Sequence, residues 1–129
     1  MAVIDATSWT ELLERTEPLA ALSRAVEAAG KGRGTLVFLG GEAGVGKTAL
    51  ARRFADDLGR SAVLHWGGCD PLLTPPPLGP FLEVAAGTGD ALADAIEAGG
   101  PHAIATALLE AGDRTRPAVI VLEDLHWAD

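Results

Sequence analysis

The sequence predicts an α/β fold in which helices cover both faces of a parallel sheet. Three short apolar runs, at 35–39, 62–66 and 118–122, are typical of buried strands. Segments with helical spacing of apolar residues separate them, and strands that alternate with helices pair in parallel. With 129 residues, 48% of them apolar and 22% charged, the chain suits one ordinary globular domain or part of one.

Residues 1–34 are predicted to form a helical lead-in to this core. Apolar side chains recur near one helical face within residues 9–29: Leu12, Leu13, Leu19, Leu22 and Val26. Because proline suits only the first turn of a helix, a turn or a helix start is predicted near Pro18. A glycine-rich loop at 30–34 then leads into the core, which is predicted to span residues 35–129.

The sharpest signal follows the first predicted strand. It reads Gly41-Glu42-Ala43-Gly44-Val45-Gly46-Lys47-Thr48, followed by Ala49, and matches G-x-x-x-x-G-K-[ST] at every fixed position. Glycine-rich backbone wraps around a phosphate with its N–H groups pointing inward, and the helix that follows adds its positive end. Lys47 supplies a charge for the β- and γ-phosphates, and the Thr48 hydroxyl is placed to bind Mg²⁺.

The context of this motif agrees with it. An apolar strand precedes the loop, and residues 47–58 return to helical spacing. The sequence therefore predicts a P-loop NTPase, with ATP and Mg²⁺ as cofactors and residues 41–49 in contact with the nucleotide. The alternative is a glycine-rich turn from strand to helix that carries an exposed lysine.

The last predicted strand runs directly into two acids, Glu123 and Asp124. Beside a phosphate loop, an acidic strand end is the expected second Mg²⁺ anchor and the group that polarises the attacking water. Neighbouring residues of a strand point to opposite faces, so one acid would hold the metal while the other faces the γ-phosphate. Which of the two acids holds the metal, and which faces the γ-phosphate, stays open. A solvated strand end with two acids is the alternative.

Between these motifs, residues 67–80 contain a run of three prolines and are predicted to form neither a regular helix nor an inner strand. Helices are predicted at 81–86, 91–98 and 104–111. The proline-rich stretch is interpreted as a strap over the core. Trp66 is expected to pack against the sheet edge. A zinc site formed by His65, Cys69, Asp70 and a distant histidine is disfavoured, because the chain has no second cysteine.

Composition excludes several classes of function. The net charge of −8 argues against a nucleic-acid or anionic-membrane footprint over the whole surface. No apolar run approaches the roughly 18 residues of a membrane span. The single cysteine permits no internal disulfide, and the N-terminus does not read as a secretory signal. A cytoplasmic protein is therefore expected.

With these motifs in place, the chain resembles the AAA-type ATP-binding domain of large bacterial signalling NTPases. Such domains occur in LuxR-type transcriptional regulators and adenylate-cyclase-associated ATPases, and are related to origin-recognition and STAND ATPases. Four stretches carry the resemblance: LLERTEPLAAL, TLVFLGGEAGVGKTAL, GGCDPLLTPPPLGPF and VIVLEDLHWAD. It implies ATP or dATP as the nucleotide, with the adenine near residues 15–19. Relatives usually read Gly-Arg-Glu there, whereas this chain reads Glu14-Arg15-Thr16-Glu17.

The resemblance also implies parts that lie beyond this sequence. Related ATPases continue with further strands, a polar sensor residue, an arginine finger and a helical lid. The chain is therefore expected to be the N-terminal part of a larger protein, with three of the usual five strands and negligible turnover by itself. Strands 35–39 and 119–122 would lack the strand that lies between them, so marginal stability or self-association is expected.

The sequence leaves three alternative functions open. The first is an ATPase module that drives or gates a signalling switch. The second is a nucleotide-binding module without turnover. The third is a small P-loop kinase that phosphorylates a metabolite, and the lack of an arginine-rich lid in this sequence argues against it.

Overall fold

The computed structural model describes residues 1–5, 16–68, 78–88, 90–111, 113 and 115–125. Four strands and five helices lie within these residues. In chain order they are β1 (Ala2–Asp5), α1 (Thr16–Gly30), β2 (Val37–Gly40), α2 (Lys47–Leu58), β3 (Val63–Gly68), α3 (Gly79–Thr88), α4 (Asp90–Glu97), α5 (Pro101–Leu109) and β4 (Ala118–Glu123).

The chain divides into two compact units, residues 1–61 and 62–129. The first holds β1, α1, β2 and α2, and the second holds β3, the remaining helices and β4. This boundary follows α2. The sequence predicted a different boundary, after residue 34, between the helical lead-in and the ATPase core. That boundary stays a prediction.

The first unit contains a strand that the sequence analysis missed. β1 pairs with β2 in parallel, with Val3 opposite Phe38. Residues 1–34 were predicted to be helical, and three strands were predicted instead of the four described. β1 is as short as β2, but no motif follows it to mark it as a strand. The paired residues are both exposed, Val3 at 66% and Phe38 at 44%, so this small sheet shows apolar side chains on its surface.

The helices of the first unit follow the predicted spacing. α1 begins at Thr16, so Pro18 lies in its first turn, where a proline removes no helical hydrogen bond. α2 buries Leu50, Phe54 and Leu58, which are four residues apart and therefore share one face. The bounds of α2 equal the predicted 47–58.

The second unit has a defined apolar core. β3 and β4 pair in parallel over six residues, from Val63 opposite Ala118 to Gly68 opposite Glu123. Helices α3, α4 and α5 supply the buried residues of the core: Val84, Ala85, Leu92, Ala95 and Ile104. From β4, Ile120 and Leu122 pack against this cluster.

Both ends of the stretch at 67–80 differ from the prediction. Gly67 and Gly68 belong to β3, and α3 already begins at Gly79. A Cβ on Gly67 would overlap the Pro80 carbonyl oxygen and lie 3.1 Å from Val84 Cγ2, so only glycine lets the helix start this close to the strand. Residues 69–77 lie outside the described residues, and the proposed strap with them.

The strands at the two motifs both have partners. β2 pairs with β1, and β4 pairs with β3. The sequence also predicted that a strand is missing between the phosphate-loop strand and the acidic strand. Because these two strands belong to different units, that expectation stays a prediction. Of the helices that the structure describes, none has the length and apolarity needed to cross a membrane.

Candidate functional site

The phosphate loop connects β2 to α2. Its backbone has positive φ angles at Gly41 (143°), Gly44 (81°) and Gly46 (93°), a region that other residues enter only with strain. The Val45 N–H donates to the Glu42 carbonyl at 3.4 Å and closes a turn inside the loop. The glycines of the motif thus lie where the backbone turns, as the sequence predicts.

The Lys47 side chain is hydrogen-bonded to the loop that precedes it. Its Nζ donates to the carbonyl oxygens of Gly41, at 2.7 Å, and Glu42, at 2.9 Å. A lysine ammonium has three N–H donors, so two of them hold the loop and a third is left for another acceptor. The cationic group therefore lies at the loop.

The loop ends at the N-terminus of α2. The Leu50 N–H donates to the Gly46 carbonyl at 3.0 Å, and no side chain caps Gly46. The first turn of α2, which the structure describes completely, contains no acidic residue, and Thr48 and Ala49 are exposed. The first N–H groups and the positive end of the helix are therefore open to an anion.

The acidic strand end lies in the second unit. Glu123 is the last residue of β4 and is half-buried. Asp124 has left the strand: it is exposed and has a φ of 55°, a conformation that aspartate tolerates better than most residues. The alternation of side chains along a strand therefore does not apply to Asp124, and the argument that the two acids face opposite sides loses its basis.

Trp66 contacts the first of these acids. Its indole N–H donates to Glu123 Oε2 at 3.0 Å, although the two residues are 57 positions apart. The parallel register places Trp66 opposite Val121, so Trp66 and Glu123 are diagonal neighbours. Packing against the sheet edge was the predicted role of Trp66, and the hydrogen bond was missed. Only the strand register reveals it, and the sequence does not give that register.

The strand end next to Glu123 is held from α3. Glu83 Oε2 accepts the N–H of Gly68 at 2.7 Å, and Gly68 is the register partner of Glu123. Together with the close packing of Gly67 on the first turn of α3, this contact fixes the backbone beside the acidic side chain.

The structure describes one of the remaining candidates, His65. His65 is buried, 7% exposed, with its Nε2 atom 3.1 Å from the Ala111 carbonyl oxygen. No group of three or more His, Cys, Asp or Glu side chains that suits a metal ion occurs within the described parts of the chain. Three residues that the sequence raised as candidates lie outside those parts: Arg15, Cys69 and Asp70.

Neighbouring hydrogen-bond donors change the pKa of one carboxyl group of the second unit, Asp113. Asp113 accepts hydrogen bonds from the Arg116 side chain, at 2.7 Å, and from the hydroxyl and N–H of Thr115, both at 2.8 Å. Arg116 first, and Thr115 after it, hold the pKa of the Asp113 carboxyl well below its usual range. These contacts lie in the loop before β4.

The profile of the AAA ATPase domain family matches residues 11–129, so the chain belongs to this family of nucleotide-binding ATPases. Membership implies a P-loop NTPase α/β fold, with which the parallel strand pairs and the loop between β2 and α2 agree. The family generally binds ATP with Mg²⁺. No curated protein and no solved structure gives a significant match.

Proposed function

We propose that this chain is the ATP- and Mg²⁺-binding module of a larger bacterial signalling regulator, in which nucleotide acts as a switch. The arrangement of Lys47 carries the proposal. Its ammonium is already held over a glycine-turned loop, at the uncapped start of a helix. A lysine that was only a solvated helix charge would not bond two carbonyl oxygens of the preceding loop.

The loop suits a triphosphate. Positive φ angles at Gly41, Gly44 and Gly46 form a turn that side chains would strain, and the helix offers unpaired N–H donors. Lys47 would bind phosphate oxygens with its third donor, or exchange its carbonyl partners for them. The ammonium attracts an anionic phosphate oxygen more strongly than it attracts the uncharged carbonyl oxygens that the phosphate would replace.

The predicted metal residues fit Mg²⁺ by their chemistry. The Thr48 hydroxyl and the carboxylates of Glu123 and Asp124 provide the oxygen ligands that this ion prefers, and one or two carboxylates with substrate phosphates usually suffice. When bound, Mg²⁺ would neutralise charge on the phosphates. We propose that the two acids hold the metal and orient the attacking water in the longer protein.

The regulatory context rests on the resemblance to LuxR-type regulators and adenylate-cyclase-associated ATPases, carried by the four stretches quoted above. We also propose a cytoplasmic location, which the same resemblance and the single cysteine support. Hydrolysis depends mostly on positioning and charge stabilisation, and an arginine finger alone is worth about 10³–10⁵ in rate. We therefore propose ATP binding by these 129 residues, with negligible turnover unless an arginine finger is supplied.

Calorimetric titration with ATP and Mg²⁺ tests the proposal. Lys47→Ala should lose a charge-assisted contact worth about 1.5–3 kcal/mol, which lowers ATP affinity roughly ten- to a hundredfold. Lys31→Ala is the matched control, because Lys31 is the other lysine of the chain and is exposed beyond the end of α1. Equal affinities of wild type and Lys47→Ala, measured on folded samples, would show that the phosphate-loop assignment is wrong.

A further inference from the structure

We infer that Trp66 is a positioning residue for the Mg²⁺ site: its indole N–H fixes one oxygen of Glu123 and so presents the other oxygen to the metal. The inference rests on the proposed function, because it assumes that Glu123 serves Mg²⁺. It adds a residue that no sequence motif identifies.

The geometry of the contact supports this role. The Nε1–Oε2 distance of 3.0 Å is an ordinary N–H···O length, and a carboxylate acceptor makes the bond charge-assisted. Trp66 and Glu123 are both half-buried, so water competes for the bond less than at an exposed position. The indole is a donor only, which makes a carboxylate oxygen a fitting partner.

The backbone around the contact is also fixed. Glu83 binds the N–H of Gly68, and Gly67 packs against Pro80. The strand that carries Trp66 is thereby anchored at the end where Glu123 lies, so the indole has a defined place from which to donate. Orientation of a ligand by a second residue is worth typically 10–100-fold in metal affinity.

The measured quantity is the ratio of ATP affinity in Mg²⁺ to ATP affinity in EDTA. Trp66→Phe keeps an aromatic ring but removes the donor. We expect this ratio to fall about tenfold in Trp66→Phe, while ATP affinity in EDTA stays as in the wild type. Trp9→Phe is the control for loss of a tryptophan and should leave the ratio unchanged. Equal ratios in wild type and Trp66→Phe would overturn the inference alone.

A double-mutant cycle with Glu123→Gln separates positioning from a general structural effect. If Trp66 acts through Glu123, then Trp66→Phe should change the ratio far less in the Glu123→Gln background than in the wild type. An undiminished effect in that background would contradict the inference. Absence of ATP binding by the wild type in both buffers would instead overturn the proposed function, and the inference with it.

A spectroscopic measurement needs no change at Trp66. The three tryptophans give three indole N–H signals in a ¹⁵N–¹H spectrum, and loss of one signal each in Trp9→Phe and Trp127→Phe leaves that of Trp66. We expect this signal to move in Glu123→Gln, and to move in the wild type when Mg²⁺ is added to the ATP complex. A Trp66 signal that stays in place in both experiments would overturn the inference.

Discussion

The phosphate loop and the acidic strand end obtain their geometry in different ways. The loop is built from contiguous residues: three glycine torsions and two hydrogen bonds from Lys47, all within residues 41–47. The acidic strand end depends on contacts between distant residues, since Trp66 binds Glu123 across 57 positions and Glu83 holds Gly68. A local motif can be read from a sequence, whereas a pairing between distant strands cannot.

The difference also concerns what each region needs in order to form. The loop is mostly exposed and depends on backbone conformations that glycine adopts without strain. The acidic strand end depends on β4, which packs on the apolar core of the second unit through Ile120 and Leu122. Core substitutions should therefore disturb the acidic end, and glycine substitutions in the loop should disturb phosphate binding.

The largest expected effect is in the core of the second unit. Leu92 is 1% exposed, and Leu92→Ala should lower the free energy of unfolding by about 2–5 kcal/mol, because it leaves a cavity. Leu109→Ala is the control, since Leu109 is 85% exposed and should cost little. Denaturant unfolding measures both, and similar losses for the two variants would refute this description of the core.

The second effect concerns the contact between β3 and α3. In Gly67→Ala the added methyl group would overlap the Pro80 carbonyl oxygen, so the substitution should lower the free energy of unfolding by about 1–3 kcal/mol. Gly34→Ala is its control, because a Cβ at Gly34 meets no atom within 4 Å. Thermal unfolding of the two variants gives the comparison. A Gly67→Ala protein as stable as the Gly34→Ala protein would contradict the close approach.

The third effect isolates backbone strain in the loop. A Cβ at Gly44 meets no atom within 4 Å, so Gly44→Ala tests only the cost of a φ of 81°, about 1–2 kcal/mol. If nucleotide binding requires this conformation, ATP affinity should fall roughly five- to thirtyfold in calorimetry. Unchanged affinity would mean that the bound loop does not use the conformation described here.

The smallest expected effect is a dependence of stability on pH that comes from the Asp113 carboxyl. Because Arg116 lowers the pKa of this carboxyl in the folded chain, its contribution to stability is complete above the unfolded pKa, near 3.8. The contribution is lost as the pH falls below that value towards the folded pKa. Carbon-detected NMR titration of the side chain should show a midpoint below 3.8 in the wild type. The midpoint should rise in Arg116→Gln, and equal midpoints would exclude Arg116 as the cause.

The sequence predicts part of this structure well. Glycine spacing and helical periodicity gave the phosphate loop and the bounds of α2, because both depend on neighbouring residues. β1 was missed because no motif follows it as the phosphate loop follows β2, and because its pairing with β2 depends on tertiary structure. Gly67 and Gly68 were predicted to lie outside an inner strand, as part of residues 67–80, but pairing with β4 overrides their low strand propensity.

The acidic strand end was predicted in composition but not in arrangement. Glu123 and Asp124 were identified because acids follow an apolar run, a local feature. The departure of Asp124 from the strand and the bond from Trp66 depend on where β4 ends and on how it pairs with β3. No local pattern in the sequence encodes that register.

The hydrogen bonds of Lys47 have a consequence for chemical labelling. The chain contains two lysines, and Lys31 is exposed, whereas Lys47 is half-buried with its Nζ between two carbonyl oxygens. An acylating reagent should therefore modify Lys31 faster, and each labelled sample carries its own internal reference. The ratio of label on the two lysines becomes a measure of whether the loop is closed on its lysine, readable from one peptide mass spectrum without nucleotide or mutation.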